Sequence, residues 1–349
     1  MKQVHVNASK QYDILIESGL LSSAGEICRS RFGVCRICII TDDTVNVLYG
    51  EKVLQSFQSA GYEIEKFVVP HGEKSKSTEN FLAIVNYLAQ KKFTRSDLLV
   101  ALGGGVVGDL CGFCAATYMR GIRFLQIPTT LLAAVDSSVG GKTAVDLQAG
   151  KNLLGAFWQP SLVLCDTDVL KTLSEKIFAD GTAEIIKYGM IWDAELFEKL
   201  EWGPWNTEEI ISRCVEIKRD IVNQDEFDTG LRQILNFGHT IGHAVETLSG
   251  FKISHGGAVA IGMVLITRAL YRQGQVDEKS LNRLMKTLQR HHLPVECDFE
   301  AEALFEIAAG DKKRQGKRIN VIAVKEIGKA EILSLDMDQL KKLIQLGRA

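Results

Sequence analysis

Along the first half of the chain, short apolar runs alternate with amphipathic stretches. The runs at 37–41, 64–69 and 98–102 have strand length, while 44–60, 77–91 and a segment opening at Val106 repeat apolar residues at helical spacing. This β-α-β rhythm predicts a parallel sheet covered by helices, with ligands at the carboxyl ends of the strands. From residue 174 onward the pattern changes to successive amphipathic helices, among them 208–224, 231–248, 258–273 and 277–291. The expected class is α/β, with one domain over residues 1–173 and a mainly α-helical domain over 174–349.

Residues 98–110 read Leu-Leu-Val-Ala-Leu-Gly-Gly-Gly-Val-Val-Gly-Asp-Leu, a buried strand running into a glycine turn and then a helix. Backbone N–H groups of such a turn can meet a pyrophosphate at a helix N-terminus, where unpaired donors and the dipole favour an anion. The spacing Gly103, Gly105, Gly108 fits a dinucleotide fingerprint and makes the first domain Rossmann-like. The acidic residue usual about 20 positions later is absent from Phe124-Leu-Gln-Ile-Pro, so a purely structural tight turn stays open as a reading. Asp42, at the end of an earlier strand, is the better ribose partner, and Glu73 and Lys76 follow another strand end. Asp136-Ser-Ser-Val-Gly-Gly-Lys-Thr looks like a phosphate loop but lacks its first glycine. An alternating Thr-Ala-Val-Asp-Leu follows Lys142 where a P-loop needs a helix, so the segment is expected to be a β-hairpin presenting Lys142, Lys151 and Asn152.

The second half concentrates histidine. Three of the seven histidines fall at 239, 243 and 255, and His239 and His243 lie four apart in a run whose apolar residues recur at helical spacing, placing both on one face where they could share a metal. A carboxylate is needed to complete such a set, and Glu184 in Gly-Thr-Ala-Glu-Ile-Ile-Lys is the candidate upstream. A helical histidine is also commonly a satisfied core or surface residue. Positive charges at Arg120, Lys187, Lys218, Arg232 and the Asp-Lys-Lys-Arg turn from Asp311 suggest a small, multiply anionic substrate, though each alone is a common surface residue.

Composition narrows these readings. The 349 residues allow two domains, and 46% hydrophobic content is that of an ordinary globular chain. A net charge of −2 gives no broad attraction for nucleic acid or an anionic membrane, so anion recognition must be local. No signal-like N-terminus or membrane-length apolar run is present, and a cytoplasmic protein is expected. Eight cysteines in a chain this long do not read as a disulfide scaffold, and the pairs Cys35/Cys38 and Cys111/Cys114 are too far apart for a zinc ribbon. They are expected to be small core residues.

Five stretches in order carry a resemblance: Gly-Gly-Gly-Val-Val-Gly-Asp from 103, Met-Arg-Gly-Ile-Arg-Phe-Leu-Gln-Ile-Pro-Thr-Thr from 119, Asp-Ser-Ser-Val-Gly-Gly-Lys-Thr from 136, Ala-Glu-Ile-Ile-Lys-Tyr-Gly from 183 and Asn-Phe-Gly-His-Thr-Ile-Gly-His from 236. Through them, over residues 10–345, the chain closely resembles the 3-dehydroquinate synthases within the sugar-phosphate cyclases. The resemblance implies a two-domain homodimer that binds NAD and a divalent metal, zinc or cobalt, and converts a phosphorylated keto-acid sugar, 3-deoxy-arabino-heptulosonate 7-phosphate, to 3-dehydroquinate and phosphate. In that chemistry a hydride is taken from the C5 hydroxyl and later returned, phosphate leaves in between, and the ring reopens and closes by an aldol step.

By the same resemblance the metal ligands are Glu184, His239 and His255, a departure from the spacing argument that pairs His239 with His243. Lys142, Asn152, Asn236, His243 and Lys312 or Lys313 would surround the phosphate, with Arg120 reaching over from a partner subunit. Lys218 and Arg232 would hold the carboxylate, and Asp136 and Lys187 would lie near the hydroxyls being oxidised. For NAD the match picks out Asp42, Glu73, Lys76, Gly104, Gly105, Val106, Asp109, Thr129, Thr130, Lys142, Lys151 and Thr172. One position departs from the family pattern: the usual Gly-Met-Ala-Glu reads Gly181-Thr-Ala-Glu here, a change at an expected packing position. The alternatives are another cyclase such as an inosose synthase, a glycerol-dehydrogenase-like oxidoreductase, and a non-catalytic relative that binds metal and nucleotide.

Overall fold

The computed structural model describes residues 1–310 and 318–349. Its chain divides into two compact units, Met1–Leu173 with Thr207–Phe227, and Ser174–Asn206 with Asp228–Ala349. The helix Thr207–Gln224 therefore belongs to the first unit, which corrects a second domain running unbroken over 174–349. Its apolar face packs on strands at the sheet edge and on the turn at Ala133–Ser137, a tertiary choice that helical periodicity does not reveal.

The first unit is built on a seven-stranded sheet. In chain order its strands are β1 (Lys2–Asn7), β2 (Gln11–Glu17), β3 (Arg36–Asp42), β4 (Glu63–Val69), β5 (Leu98–Gly103) and β6 (Arg123–Pro128), with β9 (Leu162–Asp166) following a separate hairpin of β7 (Lys142–Leu147) and β8 (Gly150–Phe157). The order across the sheet is β1-β2-β9-β6-β5-β3-β4, and only the β1/β2 pair is antiparallel. Every residue of β5 is buried, as expected for a central parallel strand covered on both faces. The winding reverses between β3 and β5, because β4 lies on one side of β3 and β5 on the other. Such a reversal opens a crevice at the carboxyl ends of the strands.

The second unit is mainly helical, and it also holds an antiparallel pair, β10 (Arg318–Glu326) and β11 (Lys329–Asp336), that the periodicity does not predict. The stretch expected as one helix over 231–248 is broken. A 3-10 turn covers Leu231–Asn236, Gly238 sits at φ 80°, and an α-helix runs from His239 to Leu248. The break has a packing cause. A Cβ on Gly238 would lie 2.6 Å from the Val259 carbonyl oxygen, and one on Gly262 would lie 2.0 Å from that of Gly238, so the helices His239–Leu248 and His255–Arg272 approach backbone to backbone. Only glycine combines that contact with a left-handed φ.

All eight cysteines are free thiols, and all but Cys35 are buried. Burial pushes Cys28 and Cys38 up to about 12, which leaves them inert small hydrophobes.

Candidate functional site

The carboxyl edge of the first unit's sheet gathers most of the residues expected to bind a dinucleotide. Asp42 ends β3, Glu73 and Lys76 follow β4, Gly104 and Gly105 follow β5, Thr129 and Thr130 follow β6, and Thr172 closes the 3-10 turn after β9. Parallel pairing brings these strand ends together, although they are spread from Asp42 to Thr172 in the sequence. The helix Gly105–Thr117 starts at Gly104 with no side-chain cap, so its first turn presents backbone N–H groups rather than a side-chain oxygen. That is the arrangement that receives a phosphate. The glycines here also serve packing: a Cβ on Gly103 would lie 2.6 Å from Val107, and one on Gly108 would lie 2.8 Å from Gln126 Oε1. Val106 sits half-buried in the first turn.

Beside this turn lies a polar network. Lys76 Nζ donates to Asp109 Oδ2 at 2.5 Å and also to Asn152 Oδ1, while the Asp146 N–H donates to the Lys76 carbonyl at 2.8 Å. Asn152 N donates to Asp146 Oδ1 at 2.8 Å, and Asn152 itself is at φ 58°, a conformation asparagine tolerates better than most residues. Lys151 pairs with Glu73 at 3.4 Å. The β7/β8 hairpin, formed as expected in place of a P-loop helix, is thereby tied to the segment after β4. Burial acts to lower the Lys76 pKa, but the Asp109 carboxylate outweighs it and holds the ammonium charged. Asp42 Oδ1 caps Val45 N at 2.9 Å, and Thr172 Oγ1 lies 2.5 Å from the Tyr49 hydroxyl.

Lys142 is exposed at the start of β7, and Asp136 lies in the turn preceding it. Lys218, 6% exposed, donates to the Asp136 carbonyl at 2.6 Å and to its carboxylate at 2.7 Å. Arg120 is exposed on a turn where it and Met119 both take positive φ, 65° and 51°.

In the second unit Glu184, His239 and His255 come together with one ligand atom each, all within 4.8 Å. His239 Nε2 lies 3.6 Å and His255 Nε2 3.5 Å from the same oxygen, Glu184 Oε1. Glu184 is fully buried on the helix Glu175–Ile191, and its other oxygen is held by Lys187 Nζ one turn on. The outer nitrogens are engaged too: His239 Nδ1 lies 3.1 Å from the Phe237 carbonyl and His255 Nδ1 3.3 Å from Glu246 Oε2. An imidazole whose Nδ1–H is held by an oxygen turns the Nε2 lone pair inward, which is how metal-binding histidines are oriented. Two such nitrogens and a carboxylate converging on one point fit a divalent ion such as zinc or cobalt.

Electrostatics separate the two histidines. Burial, reinforced by Lys187, lowers His239 to about 3, so its imidazole is neutral. His255 goes the other way: burial opposes its charge, but hydrogen bonds to Glu184 and Glu246 outweigh this and raise it to about 10. A dication at this point would replace that proton's charge.

His243 stands outside this set. It is exposed, one turn beyond His239, and its ligand atom groups instead with those of Glu246 and His255. Sharing a helix face brings the His239 and His243 rings to 5.5 Å, but the second partner of His239 comes from a different helix. Arg232 is 1% exposed and Asn236 half-buried, and both lie in the 3-10 turn rather than in the single helix expected over 231–248. Thr182, at the position departing from the family pattern, is 1% exposed and donates to the Phe178 carbonyl at 3.0 Å, which satisfies its hydroxyl inside the helix. Lys312 and Lys313 lie outside the described residues. Sequence reasoning missed Glu246, although its place seven residues after His239 on one helix face was available as a signal.

Two family descriptions match consecutive parts of the chain, 3-dehydroquinate synthase N-terminal over residues 66–180 and 3-dehydroquinate synthase C-terminal over 181–314. Among solved structures, a 2-deoxy-scyllo-inosose synthase in complex with carbaglucose-6-phosphate, NAD+ and Co2+ superposes with a TM-score of 0.88 at 23% identity, covering 99% of each chain. A 2-epi-5-epi-valiolone synthase from Streptomyces hygroscopicus with NAD+ and Zn2+ bound gives the same TM-score at 27% identity and the same coverage. A glycerol dehydrogenase from Schizosaccharomyces pombe shares the fold at a TM-score of 0.65, with 13% identity over 96% of this chain and 88% of that one. A 3-dehydroquinate synthase of Clostridium acetobutylicum is 45% identical across 96% of both chains. With a 3-dehydroquinate synthase of Enterococcus faecalis 46% identical across 99% of this chain and 98% of that one, the chain belongs to the 3-dehydroquinate synthase family.

Proposed function

We propose that the chain converts 3-deoxy-D-arabino-heptulosonate 7-phosphate to 3-dehydroquinate and phosphate, a step of the shikimate pathway, with NAD at the first unit's sheet edge and a divalent ion on Glu184, His239 and His255. The observation that carries this reading is the convergence of both Nε2 atoms on Glu184 Oε1 at 3.5 and 3.6 Å, in a chain 46% identical to a 3-dehydroquinate synthase along its length. When bound, NAD supplies a reversible hydride acceptor and the ion a Lewis acid for the alcohol oxygens.

The chain's own groups then bind and orient the substrate. Arg232 offers the carboxylate a planar fork able to engage two oxygens, and Lys218 is assigned to the same end of the substrate. Lys142 and Asn152, on the hairpin tied down through Lys76, are assigned to the phosphate, as are Asn236 and His243. Holding the phosphate in a fixed pose matters because it leaves during the reaction, and orientation of a leaving group contributes directly to rate. Asp136 and Lys187 are assigned to the hydroxyls, each already oriented by a partner, Lys218 and Glu184 respectively.

A homodimer is part of the proposal, with Arg120 of one protomer serving the phosphate of its partner. The exposure of Arg120 on a turn beside Met119, itself 45% exposed, supports it. Mixing Arg120→Ala with Lys142→Ala protomers tests it, since recovered activity requires groups from two chains. A cytoplasmic location is likewise proposed; no described helix is long and apolar enough to cross a membrane.

The experiment for the whole reading is incubation with the heptulosonate phosphate, following phosphate and dehydroquinate together. Equimolar appearance of both is expected, and phosphate without dehydroquinate would overturn the assignment.

A further inference from the structure

We infer that Glu246 is a positioning residue for the metal set, holding the His255 imidazole so that its Nε2 faces Glu184; this rests on the metal reading above. Glu246 lies on the helix His239–Leu248, seven residues after His239, and is 5% exposed. A carboxylate this deeply buried needs a charged or hydrogen-bonding partner to offset its lost hydration. His255 Nδ1 is such a partner at 3.3 Å, and the same ring's Nε2 is 3.5 Å from Glu184 Oε1. One imidazole thus spans two carboxylates.

The tautomer follows from this placement. A neutral imidazole carries one N–H, so if Nε2 gives its lone pair to an ion, Nδ1 must hold the proton and donate it to Glu246. A carboxylate behind a ligating imidazole also makes the ring a stronger base and hence a stronger ligand. The two histidines differ here, because the partner of His239 Nδ1 is the neutral Phe237 carbonyl at 3.1 Å, not a carboxylate. The charge balance points the same way. Lys187 pairs with Glu184 and offsets part of its negative charge, so a second carboxylate at Glu246 would restore negative charge beside a bound dication.

The same atoms frame a competing arrangement. His243, Glu246 and His255 form a second three-donor group within 4.8 Å, and an ion held there through His255 Nδ1, the nitrogen 3.3 Å from Glu246 Oε2, would need that nitrogen's lone pair. A positioning Glu246 needs Nδ1 protonated, so the two arrangements exclude each other in a neutral ring.

The test measures divalent-ion affinity of the full-length chain, with zinc competed against a chromogenic chelator and cobalt read by its visible absorption. Wild type is expected to bind one ion per chain. Glu246→Gln, which keeps the shape but removes the charge, should bind it roughly 10- to 100-fold more weakly, as should Glu246→Ala. Activity lost at limiting ion should return as the ion is raised, the cobalt spectrum should shift, and the ion-free variants should melt near wild type. Wild-type affinity in both Glu246 variants, with one ion bound, would overturn this inference alone. One ion bound by wild type, with an affinity that falls in His243→Ala as far as in Glu246→Gln, would overturn it in favour of the second group. No ion bound by wild type, or an unchanged affinity in Glu184→Gln, would overturn the metal reading and this inference with it.

Discussion

Lys218 Nζ donates to both the backbone carbonyl and the carboxylate of Asp136, at 2.6 and 2.7 Å, across 82 residues of sequence. This pair fastens the helix Thr207–Gln224 to the turn after β6, and so to the first unit. Lys218→Met should cost about 2 kcal/mol of unfolding free energy, less than a fully buried pair because the Asp136 side chain is 23% exposed. Urea unfolding measures it, and a loss below about 0.5 kcal/mol would reduce the pair to an ordinary surface contact.

Gly238 occupies a position where both backbone angle and neighbours exclude a side chain. Gly238→Ala should destabilise by at least about 2 kcal/mol, from the left-handed φ and the approach to the Val259 carbonyl. It should also weaken ion binding, because His239 is the next residue in the chain. A variant that melts at the wild-type temperature would show that the helix contact is loose.

The ligand assignment separates two neighbouring histidines. His239→Ala should lose both bound ion and activity, whereas His243→Ala should keep the ion and slow the reaction. Metal analysis of the purified variants decides this, and equal loss of ion from both would restore the pairing of His239 with His243. Prolonged chelation should likewise abolish activity, with a divalent ion restoring it.

Arg232 is expected to select for a carboxylated substrate. Arg232→Leu should raise KM for the heptulosonate phosphate, with a loss of roughly 2–4 kcal/mol in kcat/KM for a truncated charge pair. Wild type should fail to cyclise glucose 6-phosphate, which has no carboxylate. Efficient conversion of that sugar would point to an inosose-forming relative instead.

NAD should be needed only catalytically, because the hydride taken from C5 is returned within one turnover. Absorbance of the reduced cofactor should therefore not rise in step with product. Net NADH equal to substrate consumed would place the chain with the glycerol-dehydrogenase-like oxidoreductases.

Local chemistry along the chain was enough to reveal the alternation of strands and helices, the glycine turn after β5 and the hairpin in place of a P-loop, because each depends on residues within a few positions of one another. The apolar run 98–102, read as a buried strand, forms the central strand β5, and the strand-like residues after Lys142 argued against the helix a P-loop needs. Helical spacing misled at 231–248, since period alone cannot see that Gly238 meets the backbone of another helix. The same blindness placed Thr207–Gln224 with the wrong unit, because an amphipathic face specifies burial and not the surface that buries it. The metal set shows the division most plainly. His239 and His243 are neighbours by sequence, and helical spacing alone pairs them; the family resemblance named His255 instead, and its convergence with His239 on Glu184 Oε1, with Glu246 behind it, required three helices to pack. Residues close in sequence share a helix face through backbone geometry, whereas ligands drawn from separate helices meet only where close packing, made possible here by glycine, brings those helices together.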